Sequence, residues 1–167
     1  VLDVAASASP RRLTNNTTGE WQAAWSPDGT QIAFASERDG NDDIYIMNAD
    51  GSNEQRLTYN SEWDLYPVWS PDGEKIAFQS YRDGNWNIYV INVADSLQSG
   101  TADGNALQQL TDYPAPGEFP AWSPDGTQIV YESLRSSEEI YVMNADGSDQ
   151  RALTENAVED YGPDWRP

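Results

Sequence analysis

The stretch Trp25-Ser26-Pro27-Asp28-Gly29 returns as Trp69-Ser70-Pro71-Asp72-Gly73 and as Trp122-Ser123-Pro124-Asp125-Gly126, and a shortened copy, Trp165-Arg166-Pro167, closes the chain. The tryptophans stand 44, 53 and 43 residues apart, a period in which one small sheet can be built and repeated. Ser-Pro-Asp-Gly suits a type I turn, because proline presets φ and aspartate bonds back to the chain. Apolar residues flank each copy, so each turn is expected to join two strands.

Working outward from Trp25, strand one ends at that tryptophan and strand two is Gln31–Ser36. Arg38-Asp39-Gly40-Asn41 turns the chain, since Asp-Gly and Gly-Asn tolerate positive φ. Strand three is Asp43–Asn48; Ala49-Asp50-Gly51-Ser52 turns again into strand four, Gln55–Thr58. Four antiparallel strands in about 40 residues make a meander of the kind that forms one propeller blade. Strands two and three are apolar on both faces, as a sheet lying between two other sheets should be. The second repeat carries nine extra residues between Asn92 and Leu110, read as a lengthened outer hairpin, and the third replaces the Arg-Asp-Gly-Asn turn by Arg135-Ser136-Ser137-Glu138.

The ends fit the same scheme. Val1–Val4 and Arg11-Arg12-Leu13-Thr14 match the third and fourth strands of a repeat, and Asp160–Trp165 matches a first strand. The expected division is therefore a partial blade at 1–14, blades at 21–58, 66–111 and 119–154, and a lone closing strand at 160–167. A chain opening at Val1 partway through a repeat is expected to be processed or a piece of something longer.

Composition narrows the chemistry. Acidic residues outnumber basic ones 28 to 9, for a net charge of −19. Such a surface repels nucleic acid and anionic membranes and favours basic partners, and no apolar run is long enough to cross a membrane. Cysteine and histidine are both absent, which removes thiolate and imidazole ligands, the thiol nucleophile and the usual serine triad. A carboxylate pair for glycoside hydrolysis is compatible with the composition, but each acid has an explanation in the repeat. No catalytic, cofactor-binding or metal-binding residue is assigned, and no cofactor is expected: turns such as Asn48–Asn53 are shorter than a calcium loop and lack its closing glutamate.

The candidate sites come from the repeat itself. Trp25, Trp69, Trp122 and Trp165 are expected to form the repeat core, mostly buried between blades. Glu20, Asp64, Glu118 and Asp160 precede them and could ring the entrance of a central channel, holding a cation or the basic end of a peptide. Against that stands the plain solvated surface of an acidic chain. Trp21, Trp63, Tyr66, Phe119 and Tyr161 precede the same strands and read either as wedges between blades or as a stacking rim, and Trp86 as an exposed aromatic. Asn15 and Asn16 each begin a glycosylation sequon in a loop expected to be exposed.

Over almost its whole length the chain resembles the TolB-like beta-propeller repeats, whose motif WSPDG…IAFxSxRDGNxDIYxMNADGS…RLT is matched nearly letter for letter from Ala24 to Thr58. The resemblance implies an all-β propeller of about six blades, of which this chain offers three. For function it implies an extracytoplasmic (periplasmic or secreted), non-enzymatic scaffold that binds protein; the net charge favours a basic partner, and the loose terminal strands and open blade faces lead to the expectation of self-association as an oligomer or filament. The alternative it leaves open is the propeller portion of a larger prolyl-oligopeptidase-type peptidase or other hydrolase. The fold alone does not decide between them.

Overall fold

The computed structural model describes residues 10–99, 106–112, 115–134, 138–156 and 158–165. They form three four-stranded antiparallel sheets, each in simple sequential order. The first blade is β1 (Glu20–Trp25), β2 (Gln31–Ser36), β3 (Asp43–Asn48) and β4 (Gln55–Arg56). The second is β5 (Asp64–Trp69), β6 (Lys75–Ser80), β7 (Asn87–Asn92) and β8 (Leu107–Gln109); the third is β9 (Gly117–Trp122), β10 (Gln128–Leu134), β11 (Glu138–Asn144) and β12 (Arg151–Ala152). The expected partial strand at Val1–Val4, the turn residues Arg135–Ser137, and Arg166 and Pro167 lie outside the described residues.

The repeated turn holds itself together. Ser26 Oγ donates to Asp28 Oδ1 at 2.6 Å and accepts from Gln31 N at 2.9 Å, while Thr30 N donates to Asp28 Oδ1 at 3.0 Å. Gly29 N closes the turn onto Ser26 O at 2.9 Å, with the glycine at φ +70°. The same bonds recur at Ser70–Asp72 and Ser123–Asp125. Each first strand also carries a bulge opposite its second strand, with Gln22, Tyr66 or Phe119 in the left-handed region at φ 51–55°. A bulge bends and twists the strand, here at the same place in every blade.

The core lies between blades. Ala33, Ala35, Ile44, Ile46 and Leu57 of the first blade meet Trp69, Ile76, Phe78, Tyr89 and Ile91 of the second. Ala77, Ile88, Val90 and Leu110 of the second meet Ile129, Tyr131, Tyr141 and Met143 of the third. Leu13 lies on the front of the first blade, against Ile32, Phe34, Tyr45 and Met47. Its carbonyl crowds Gly51 as that of Leu110 crowds Gly147, so Arg11–Thr14 occupies the place that a preceding blade's strand-four end takes at the third blade.

Three expectations need correction. Trp69 is 8% exposed and its indole N–H donates to Ala24 O at 3.2 Å across the joint, and Trp122 is half-buried. Trp25, however, is 47% exposed. The motif is the same; the difference is that among the described residues no blade lies in front of the first one. Second, the insertion holds a short helix, α1 (Val93–Ser99), where a hairpin was expected. Asn92 Oδ1 caps it by accepting from Asp95 N at 3.0 Å, and Val93 and Leu97, one turn apart, press into the first joint. Residues 100–105 of the insertion are outside the described set. Third, Asp160–Trp165 forms no ladder among the described residues. It is tied to the third blade by Asp160 N donating to Glu138 O at 2.9 Å and by Gly162 N donating to Glu132; Trp165 is half-buried there.

Burial in a joint, rather than the motif, should therefore set the cost of losing each tryptophan. Trp69→Ala is expected to lose about 3–5 kcal/mol in urea denaturation, and Trp25→Ala less than about 1 kcal/mol. Equal losses would contradict the joint as the source of stability.

Candidate functional site

The proposed acidic ring is assembled differently from its sequence reading. Cα pairing sets Glu20 opposite Ser36, Asp64 opposite Ser80 and Gly117 opposite Ser133. Gly117, not Glu118, is thus the third blade's counterpart of Asp64. A matching backbone bond confirms this: Asp64 N, Gly117 N and Asp160 N donate to Asp42 O, Trp86 O and Glu138 O. Pro116-Gly117 precedes Glu118, so the acid stands one residue late and faces Glu132 across the β9–β10 pair.

Nor are the true ring members free. Arg38 Nη2 is 2.6 Å from Glu20, and Arg82 Nη2 donates to both Asp64 oxygens at 3.1 Å. Each arginine also donates to the serine that ends its strand, Ser36 or Ser80. Each guanidinium stacks over a tyrosine, 4.6 Å from Tyr45 and 4.5 Å from Tyr89. Asn16, Asn60 and Asn156 add bonds to Glu20, Asp64 and Asp160. Asp64 has no exposed surface. A cation or peptide end would have to displace these bonds, so the ring is a set of blade staples.

A second acid sits behind it. Asp43, wholly buried, is 2.6 Å from Arg56 Nη2 and accepts from Thr58 Oγ1 at 3.2 Å. Burial pushes its carboxyl up to about 7; Arg56 pulls the other way and the nearby Asp64 adds to the rise. Asp64 is raised as well, by burial foremost. The second blade fills the positions of Asp43 and Arg56 with neutral Asn87 and Gln109, and Thr111 Oγ1 keeps the bond to Asn87 Oδ1 at 3.1 Å. On the third blade Glu118 and Glu132 are raised by burial and then by neighbouring carboxylates, Glu138 among them.

Two of the concave surfaces among the described residues involve the first-strand aromatics. The inner strands line a cavity of about 410 Å³ bordered by Gln22, Tyr66, Pro67, Phe119 and Pro120, among others. Tyr66 and Phe119 meet edge to face across the joint, 4.5 Å between centroids. Their left-handed backbones are held by Tyr66 N donating to Gln22 Oε1 and Phe119 N to Gln79 Oε1, both at 3.0 Å. This pair is a wedge. The second surface is a groove of about 300 Å³ at the front of the first blade, where Trp21 and Trp25 are exposed above Leu13 and the buried Ile32, Phe34 and Met47.

The remaining sequence candidates fall elsewhere. Trp21 is exposed but gives its indole N–H to Asp42 at 3.1 Å, Tyr161 is exposed beside Glu159, and Trp86 is half-buried against Trp63 and Tyr81. Asn15 is exposed, whereas the Asn16 side chain is half-buried and tied to Glu20. In the Asp50 turn the carboxylate is taken by Ser52 N and Oγ. Among the described residues no three acids converge as a metal site, and no helix is long and apolar enough to cross a membrane. The arginine staples were missed in the sequence, although their signal, Arg two residues after the serine opposite the start of strand one, is present in all three repeats at Arg38, Arg82 and Arg135.

Arg56→Ala, which leaves Asp43 buried without its cation, should cost about 3–5 kcal/mol at neutral pH. The double change Asp43→Asn with Arg56→Gln copies the second blade and should stay within about 1–2 kcal/mol of the parent. Because folding raises the Asp43 pKa, this group's contribution is greatest at low pH and is lost as pH rises from about 4 to 7. Urea midpoints measured across that range should fall less steeply for the double variant, and an unchanged slope would contradict the assignment.

A family model of the TolB beta propeller domain matches residues 1–109. Among solved structures, the chain is similar to a protein of Agrobacterium tumefaciens assigned to TolB, with 29% identity and a TM-score of 0.76 over 88% of this chain and 53% of that one. TolB from Acinetobacter baumannii is 24% identical, with a TM-score of 0.67 over 83% of this chain and 33% of that one. A puromycin-hydrolyzing peptidase from Mycobacterium tuberculosis shares the fold at 20% identity, with a TM-score of 0.70 over 93% of this chain and 26% of that one. The chain thus spans about half the length of the first relative and a third of the second. Motif, blade geometry and family match agree, and the chain belongs to the TolB beta propeller domain family.

Proposed function

We propose that this chain is a non-enzymatic scaffold that binds protein through propeller surfaces, and that its first partner is a second copy of itself. The observation that carries this reading is Trp25 at the front of the first blade. It stands where Trp69 stands in the second blade, yet it is 47% exposed where Trp69, covered by a neighbouring sheet, is 8% exposed; behind it Ile32, Phe34 and Tyr45 are buried with Leu13 packed against them. A surface whose repeat counterpart is a joint is shaped for another blade. The contact would be head to tail, closing to a ring or extending as a filament.

The absence of histidine and cysteine from the sequence supports a role without catalysis. The likeness to TolB supports a place outside the cytoplasm and a protein partner, a basic one if it is not the chain itself. The peptidase fold likeness favours one second reading, the propeller portion of a larger hydrolase; a Gly-x-Ser-x-Gly motif in adjoining coding sequence would bring that reading forward.

Light scattering across a dilution series tests self-association. The expected result is a mass above 18.6 kDa that rises with concentration and returns to monomer in Trp25→Asp. A well-folded monomer at every concentration would overturn it.

A further inference from the structure

Trp63, Tyr81 and Trp86 form a cluster that belongs to none of the joints. Trp63 precedes β5, while Tyr81 and Trp86 flank the turn between β6 and β7. The two indoles stack at 6.4 Å with 22° between planes, and Tyr81 stands 6.0 Å from Trp63 and 5.3 Å from Trp86. Trp63 remains 50% exposed.

The repeat shows that the fold does not require these rings. Tyr81 N donates to Trp63 O as Glu37 N does to Gly19 O, and Trp86 O accepts from the next blade as Asp42 O and Glu138 O do. The same three positions are therefore Gly19, Glu37 and Asp42 in the first blade. In the third they are Pro116, Leu134 and Glu138, by the pairing of Gly117 with Ser133. Three aromatics depart from the repeat together and meet at one spot, and in the chain they are flanked by two exposed acids, Glu62 just before Trp63 and Asp83 between Tyr81 and Trp86. Asp83 also accepts the Tyr89 hydroxyl. The one cation of the turn, Arg82, is drawn inward by Asp64, Ser80 and Tyr89, so the formal charge beside the rings is negative.

We infer that Trp63, Tyr81 and Trp86 form a docking platform for a lysine or arginine side chain on an extended segment of a partner protein. An indole face attracts a cation through its quadrupole, most strongly among the aromatic side chains, and Glu62 and Asp83 supply the matching charge. The rings touch one another, leaving no cage between them, so the cation lies on the outer face of Trp63. This rests on the protein-binding reading above but not on self-association, since the platform is apart from the open blade front.

Pentalysine titrated against tryptophan fluorescence tests it, with Trp63→Ala beside Tyr161→Ala, which removes an exposed ring elsewhere on the chain. Trp63→Ala should weaken binding about fivefold and abolish the spectral change, Tyr161→Ala should do neither, and Glu62→Gln should weaken binding chiefly at low salt. Should Trp63→Ala melt early, Trp63→Leu keeps the bulk without the π face. Unchanged affinity in a folded Trp63 variant would reduce binding to general attraction by an acidic chain and overturn the platform. So would Trp63-dependent binding of a neutral glucan oligosaccharide in place of pentalysine. Light scattering of Trp63→Ala keeps the two proposals apart, since its mass should match the parent's.

Discussion

A blade with both faces apolar cannot be stable by itself, and most of this structure follows from that constraint. Apart from one end residue each, β2, β3, β6 and β7 are buried, and at the two joints the cover is a neighbouring sheet. Each joint is made of one blade's small and branched residues against the next blade's aromatic face. The sequence assigns those roles by position within the repeat: Ala33 and Ala35 are thin where Trp69, Phe78 and Tyr89 are thick. A buried tryptophan is thus the property of a pair of blades, and Trp25 and Trp69, alike in sequence, differ sixfold in exposure.

The rim obeys a second constraint, that buried charge must be paired. With 28 acids and 9 bases, the chain has few cations to spend, and Arg38, Arg56 and Arg82 are all committed to carboxylates at the blade ends. The Arg38 and Arg82 pairs fix where the first strands of the first two blades begin and leave few cations for the surface acids, Arg151 beside Asp149 being one. The repulsion toward anions read from net charge is thereby local as well as global. Where the second blade uses Asn87 and Gln109, the same geometry is reached without charge, so the ion pair in the first blade is one of two solutions to a single packing position.

Much of this was legible in the sequence because turn chemistry and strand periodicity are local. Strand limits at Gln31–Ser36 and Asp43–Asn48 follow from the Ser-Pro-Asp-Gly and Asp-Gly turns that bound them. What failed depended on register or on neighbours. Glu118 looked like a ring member because an acid near a tryptophan is easy to match; counting back five residues from Trp122 reaches Gly117. The helix at Val93 was masked by the expectation of a hairpin, although Asn92 and Asp95 are a cap signal. Trp63, Tyr81 and Trp86 span 24 residues and look scattered until the sheet pairing brings them together. No pattern in one strand could have shown it.

The central claim is that neighbouring blades, more than the repeat itself, confer stability. Hydrogen exchange read by mass spectrometry in dilute solution tests it most directly. The three blades share a motif, but among the described residues only the second is covered on both faces by other blades. Amides of β6 and β7 should therefore exchange slowest, with β2–β3 and β10–β11 faster. Equal protection in all three blades, or greatest protection in the first, would contradict the account.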